Sequence, residues 1–190
     1  MNRPYTEDKV FDRINFTEKP LLLGDYEYCR FENCDFSRTD LSGIHFTECS
    51  FTGCNLSMVK LHKASFNSVQ FKECKLLGLH FEDCDSVLFS VNFGHCQLDL
   101  SSFFQLKMKK TMFSNCSLKE VDFTEADLTA SVFDHCDLIR AIFLHTVLDK
   151  ADLRTSVHFS IDPSRNKVKK TKVSALGLAG FLDAYDLDIF

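Results

Sequence analysis

Nine cysteines and seven histidines are the residues of this 190-residue chain best equipped for chemistry. Twice they adjoin, as His95-Cys96 and His135-Cys136. A thiol beside an imidazole is the elementary unit of a cysteine nucleophile, and a group of thiols is the elementary unit of a tetrahedral metal site. The spacing argues against both. Metal sites draw on ligand pairs at short spacings such as C-x2-C, whereas these cysteines recur chiefly at five and twenty residues. No paired carboxylates, Ser-His-Asp set or Gly-rich phosphate loop appears either. The chain is therefore expected not to be an enzyme and to need neither metal nor cofactor.

The elements that position those cysteines have an unusual period. Large apolar residues fall every fifth position from Phe11 to Phe81, and again from Leu88 to Leu153 after two residues are inserted around Asp85-Ser86-Val87. A helix repeats at 3.6 residues and a half-buried strand at two, so neither explains the pattern. Of these 29 centres fifteen are Phe and twelve are Leu, with Tyr26 and Met108 completing the set. Two residues before each centre runs a second series, mostly small, which holds eight of the nine cysteines, Cys84 falling where that series meets the insertion. Free cysteine behaves as a small buried hydrophobe, so this slot is read as interior. Each Cys of the His-Cys pairs then points inward and its His outward, and the two cannot meet.

Taking every fourth centre sorts the chain into four columns. The first is all Phe from Phe11 to Phe133. The second carries a ladder of cysteines from Cys34 to Cys136. Like residues stacked at a period of twenty imply a coil of four five-residue sides, about seven coils long, and stability then requires several coils with capped ends. Between stacked coils, parallel thiols at roughly 4.8 Å lie beyond the usual disulfide Cβ separation.

Composition narrows the class. The formal charge is −5, there are 20 Phe and no Trp, and no stretch approaches the length of a membrane span. An acidic balance argues against direct nucleic-acid binding. An odd cysteine count behind a charged start, MNRPYTEDKVFD, predicts reduced thiols in a cytoplasm. The rod is expected over residues 1–158, which hold 17 Lys and Arg against 23 Asp and Glu, and an end segment over 159–190.

Copies such as Cys34-Asp35-Phe36-Ser37-Arg38, Cys54-Asn55-Leu56-Ser57-Met58 and Ala126-Asp127-Leu128-Thr129-Ala130 resemble the motif of the pentapeptide-repeat family. The resemblance implies an all-β fold, a right-handed quadrilateral β-helix. Within the family the chain is similar to the group of Qnr-type, mycobacterial fluoroquinolone-resistance and microcin B17 immunity proteins. That likeness implies a homodimer binding DNA gyrase or topoisomerase IV as a mimic of duplex DNA. Typical Qnr proteins carry two long loops, and here there is only a two-residue insertion. A rigid interaction scaffold with another protein partner is the alternative.

Candidate contacts follow from outward positions. Large apolar residues stand there at Leu77, Phe89, Leu100, Phe104, Ile139, Ile142 and Leu144, read as either a partner patch or ordinary surface. Glu82, Asp83, Asp122, Glu125, Asp127 and Asp149 are the acidic candidates, and Lys107, Lys109 and Lys110 interrupt the acidic surface. The predicted partner-binding set is Glu82, Asp83, Phe89, Phe104, Asp122, Glu125 and Leu144. Beyond the repeat, Asp162 to Asn166 reads as a turn and Lys167 to Lys172 as a basic linker. Ser174 is expected to cap a short helix to about Ala184. That segment predicts a lid over the last coil, and the family resemblance adds dimerisation through Leu178, Phe181, Leu182, Leu187, Ile189 and Phe190.

Overall fold

The period of five becomes a square coil because each fifth residue turns a corner. The residue two places after a centre takes a left-handed φ, as at Arg38 (58°), Met58 (58°) and Leu100 (63°). Among the described residues 25 non-glycine positions do so, while Gly43, Gly53 and Gly78 fill the same corner without a Cβ penalty. The computed structural model describes residues 3–185 and 187.

Each side of the coil hydrogen-bonds to the sides one coil before and after it. Strands stack in parallel at a separation of twenty residues: Phe11 lies against Phe31, Phe31 against Phe51, and Phe51 against Phe71. The first wall, the all-Phe column, is a seven-stranded sheet from Val10–Asp12 to Val132–Asp134. The fourth wall begins with a four-stranded sheet of Tyr5–Glu7, Asp25–Glu27, His45–Thr47 and Ser65–Asn67. The second and third walls are narrower and pair through single bridges, such as Asp35↔Asn55 and Ser102↔Asp122.

The interior is a set of ring stacks. Down the first wall, seven phenylalanines from Phe11 to Phe133 stack in sequence, with centroids 4.7–5.4 Å apart and planes within 18°. A second stack runs Phe81, Phe103, Phe123 and Phe143 on the third wall. Neighbouring stacks meet edge to face, as Phe113 does with Phe103 and Phe123. Both geometries are those the ring quadrupole favours.

The two-residue insertion corrects one expectation. Leu88, taken as a centre because it keeps five-residue phase with Phe93, is 71% exposed, and Phe89, expected outward, is 8% exposed. Ser65 and Asp85 still correspond, since the Asp85 amide reaches Ala64 O, and Val69 pairs with Val91. The bulge therefore lies between them, Leu88 rides on its outside, and Phe89 drops inward to meet Phe81 at 6.1 Å.

The C-terminal segment holds two further corrections. The basic stretch is no linker: Val147 bridges Lys167 and Asp152 bridges Lys172, so residues up to Lys172 continue the coil. The expected short helix is present, wound as two 3₁₀ turns, Leu176–Phe181 and Asp183–Tyr185. Ser174 does cap it, its hydroxyl accepting from the Gly177 amide at 3.0 Å. Gly177 and Gly180 disfavour an α-helix. Gly180 also presses on Phe159, where a Cβ would lie 2.2 Å from the carbonyl oxygen. Phe181 is buried on Phe159 with centroids 5.7 Å apart, so it closes the rod end rather than facing a partner.

Candidate functional site: the outer walls of the rod

All nine cysteines are buried free thiols. The sulfurs from Cys34 to Cys136 lie 3.3–3.6 Å from the carbonyl oxygens of Phe11, Phe31, Phe51, Phe71, Phe93 and Phe113. Ser156 takes the next rung, its hydroxyl donating to Phe133 O at 2.8 Å. The slot thus selects a small side chain with a proton to give the previous coil. Burial pushes the Cys49 thiol up to about 12 and raises Cys84 as well. Neighbouring thiols Cys54 and Cys96, with burial, likewise keep Cys74 protonated. Protonated, enclosed thiols are poor nucleophiles and poor metal ligands. His95 and His135 stand exposed on the opposite side of the backbone from Cys96 and Cys136. Among the described residues no group of three or more His, Cys, Asp or Glu could hold a metal ion. Nor is any helix there long and apolar enough to cross a membrane.

What the rod offers a partner is its outside. Many outward acids first serve the fold. Aspartate just before a centre accepts the amide two residues on, as Asp40 does from Ser42 (2.8 Å) and Asp122 from Thr124 (2.8 Å). This is the side-chain turn that makes Asp and Asn useful at chain reversals.

Six of the seven predicted partner-binding residues come together on the third wall. The amides of Phe81, Phe103 and Phe123 donate to the carbonyls of Ser102, Asp122 and Ile142, which stacks their sides in order. Glu82, Phe104 and Leu144 are thereby aligned with Thr124 in one vertical row, all half-buried, and Asp83, Gln105 and Glu125 in the corner row beside it. Gln105 donates to Glu125 at 2.8 Å, and Glu82 accepts from His80 at 2.9 Å if that ring nitrogen carries the proton. From His80 to His145 the outward positions of this wall hold four carboxylates and no Lys or Arg. Phe104, Leu144 and the 49%-exposed Ile142 add an apolar component. Phe89 lies inside and leaves the set.

The other apolar candidates scatter. Leu100 is 62% exposed at the corner between second and third walls, while Leu77 is half-buried and Ile139 only 36% exposed. Sequence reasoning missed Met58, 59% exposed, whose sulfur lies over Gly78 on the same corner row as Leu100. Its place two residues after a centre was the available signal. The second wall mixes signs, with Lys119 paired to Asp137 at 3.5 Å and Arg140 paired to Glu120.

At the C-terminal end an apolar groove is lined by Pro163, Val168, Val173, Leu178, Phe181 and Leu182. Leu178 is 51% exposed and Leu187 57%. Ile189 and Phe190 lie outside the described residues.

Comparison with known proteins follows the architecture. A family described as "Pentapeptide repeat region" matches residues 25–88, and "Pentapeptide repeats (8 copies)" matches residues 116–154. Among solved structures, a trypsin-treated form of QnrB1, a plasmid-mediated fluoroquinolone resistance protein, superposes with a TM-score of 0.59 at 18% identity over 100% of both chains. HetL, a protein involved in heterocyst differentiation regulation from the cyanobacterium Nostoc sp. strain PCC 7120, gives 0.49 at 14% identity, over 90% of this chain and 86% of that one. No curated protein sequence matches significantly. At 18% identity the likeness to QnrB1 establishes a shared fold.

Proposed function

The chain belongs to the pentapeptide-repeat family, and on that premise we propose that it is a rigid protein-binding rod that engages a type II topoisomerase in place of duplex DNA. The observation that carries this reading is the third wall. Its four carboxylates lie in two pairs two coils apart, Glu82 with Asp83 and Asp122 with Glu125, with no lysine or arginine between them on this wall, Lys60 and Lys63 standing one coil before. A rigid row of negative charge suits a surface built to hold phosphates, and rigidity keeps the ordering cost of binding low. The likeness in fold to a fluoroquinolone resistance protein supports DNA gyrase or topoisomerase IV as the partner. With an insertion of two residues in place of long loops, the wall itself must carry the contact. The apolar groove at the C-terminal end, with Leu178 and Leu182, and the exposed Leu187 support a homodimer joined end to end. Reduced thiols suit a cytoplasmic setting.

The test is gyrase supercoiling and topoisomerase IV decatenation with purified protein, with and without a quinolone. Inhibition or drug protection should appear with the native rod and weaken when Glu82 and Glu125 become Lys. No effect on either enzyme at micromolar protein would sink the reading. The alternative, a scaffold for a different protein, is favoured by Phe104, Ile142 and Leu144 on the same wall. A non-topoisomerase partner lost on Phe104→Ser and Leu144→Ser would establish it.

A further inference from the structure

The fourth wall is divided by charge. Its N-terminal half comprises residues 5–8, 25–28, 45–48 and 65–68, stacked by the four-stranded sheet. These positions carry Glu7, Asp8, Asp25, Glu27 and Glu48, and no Lys or Arg. Arg3, from outside the block, pairs with Asp25 at 2.8 Å. The density of negative charge is enough to raise the exposed Tyr28 hydroxyl above its ordinary value, through Glu48, Glu27, Glu7 and Asp8.

The C-terminal half of the same wall comprises residues 107–110, 127–130, 147–150 and 167–170, linked by the bridges Lys107↔Asp127, Asp127↔Val147 and Val147↔Lys167. It carries seven lysines against Asp127 and Asp149. Lys109 pairs with Asp127 at 3.2 Å, and Asp149 is occupied by the Lys169 amide at 2.9 Å. The remaining lysines have no side-chain salt bridge among the described residues. In a protein of net charge −5, this concentration of lysine is the exception.

One wall with an acidic half and a basic half is complementary to itself when inverted. A two-fold axis lying in the plane of contact, crossing the middle of the wall at right angles to the rod, places each acidic half on the other copy's basic half, which is what an isologous contact demands. The wall carries the two-residue bulge at its middle, where Val87 and Leu88 stand exposed beside the axis, and at roughly 4.8 Å per coil its charged length is roughly 40 Å. Tyr5 and Tyr28, 56% and 45% exposed, stand in the acidic half where incoming lysines would meet ring faces. We infer that a second copy of this chain docks on the fourth wall, side by side and antiparallel. An anionic nucleic acid would satisfy only the lysine half and would be repelled by the other.

The contact is polar and narrow, at the small end of specific interfaces, so association is weak and salt-sensitive. The experiment uses the full chain in sedimentation velocity and small-angle scattering. At about 0.1 M salt, where the Debye length is about 10 Å, side-by-side pairing is expected, which thickens the particle without adding to the length of the unit that pairs. At about 1 M, with the Debye length near 3 Å, its association constant should fall at least tenfold. Two variants at exposed positions sharpen the test: Glu7→Lys with Glu48→Lys, and Lys150→Glu with Lys169→Glu. Each alone should associate at least tenfold more weakly than the native chain, because both of its contacts then set a nearly neutral half against a charged one. Mixed, they should favour the heterodimer over either homodimer, because the untouched acidic half of one then meets the untouched lysine half of the other. Particles that never thicken at low salt, whether single rods or pairs joined end to end through the C-terminal groove, would overturn the inference. So would a mixture that fails to associate, or lysine-half binding of duplex DNA without self-association.

Discussion

Replacing Phe113 by Ala, inside the longest ring stack, tests whether the aromatic columns hold the rod. Phe113 stacks on Phe93 at 5.2 Å and 12° and on Phe133 at 4.9 Å and 6°, and is wholly buried. Two further rings, Phe103 and Phe123, press their edges on it at about 6 Å. Removing a buried Phe costs about 3–5 kcal/mol through lost transfer energy and the residual cavity, and a straight rod with rings fixed above and below has little means of collapsing into it. The upper end, about 5 kcal/mol, is expected. Phe113→Leu retains much of the apolar bulk and forfeits chiefly two stacked pairs, at about 0.5–1.5 kcal/mol each, hence about 1–3 kcal/mol. Phe11 provides the control. It stacks on one side only, on Phe31 at 4.7 Å, and is 8% exposed at the rod's beginning. Contacts in a solenoid run only between neighbouring coils, so Phe11→Ala should cost roughly half as much as Phe113→Ala. The assay is urea denaturation followed by far-ultraviolet circular dichroism, since the chain has no Trp. Equal costs for Phe11→Ala and Phe113→Ala, or for Phe113→Leu and Phe113→Ala, would refute the reasoning.

Three other outcomes are expected. Cys136→Ser should change stability by less than about 1.5 kcal/mol, because Ser156 already occupies the next rung and donates to the equivalent carbonyl; calorimetry checks it. At the corners, Leu100→Gly should stabilise by about 0.5–1 kcal/mol, as relief of the left-handed φ exceeds the added chain entropy, whereas Gly53→Ala should destabilise, with φ at 64° and its Cβ 2.7 Å from Asn33 Oδ1. Acid should act through the turn carboxylates. Bonds from Ser42 hold Asp40 below its ordinary value, and Arg154 does the same for Asp152. A depressed folded pKa contributes stability that is complete above the unfolded value near 3.9 and is lost as pH falls through the folded one. The denaturation midpoint of Asp152→Asn should therefore trail the native protein's by a constant amount from pH 7 to 5, and the gap should close below about pH 4.

The interior was legible in the sequence because each inward position has one permitted size. Phe31, Cys34 and Phe36 could be placed from spacing alone, and all are buried. Phase was the weak point. Leu88 and Phe89 are both large and apolar, and periodicity preferred the one that kept count, while the bulge allowed the larger ring to turn in. The end segment misled for a related reason: Lys167 and Lys172 look like linker residues, yet Val168, Thr171 and Val173 maintain the coil beneath them. Outside, nothing restricts residue type, so Glu82, Phe104 and Leu144 could be named but not grouped until the third wall joined them. The divided fourth wall was present as columns in the sequence. It becomes visible only when residues 5–8 and 167–170 are assigned to the same side across the insertion.

The step of twenty residues between paired sides, twenty-two across the insertion, also sets a timetable. Parallel sheets ordinarily join distant parts of a chain and form slowly, since a long loop must close before any pairing repays it. Here no such wait arises: the mean separation of contacting sides is about one tenth of the chain length, within the range of helical bundles. Each finished coil is the template for the next, so once a first pair of coils has closed the remainder can be laid down by winding, in either direction and at a rate set locally. A β protein of this kind can assemble as its chain emerges from synthesis, with one short growing edge exposed at a time.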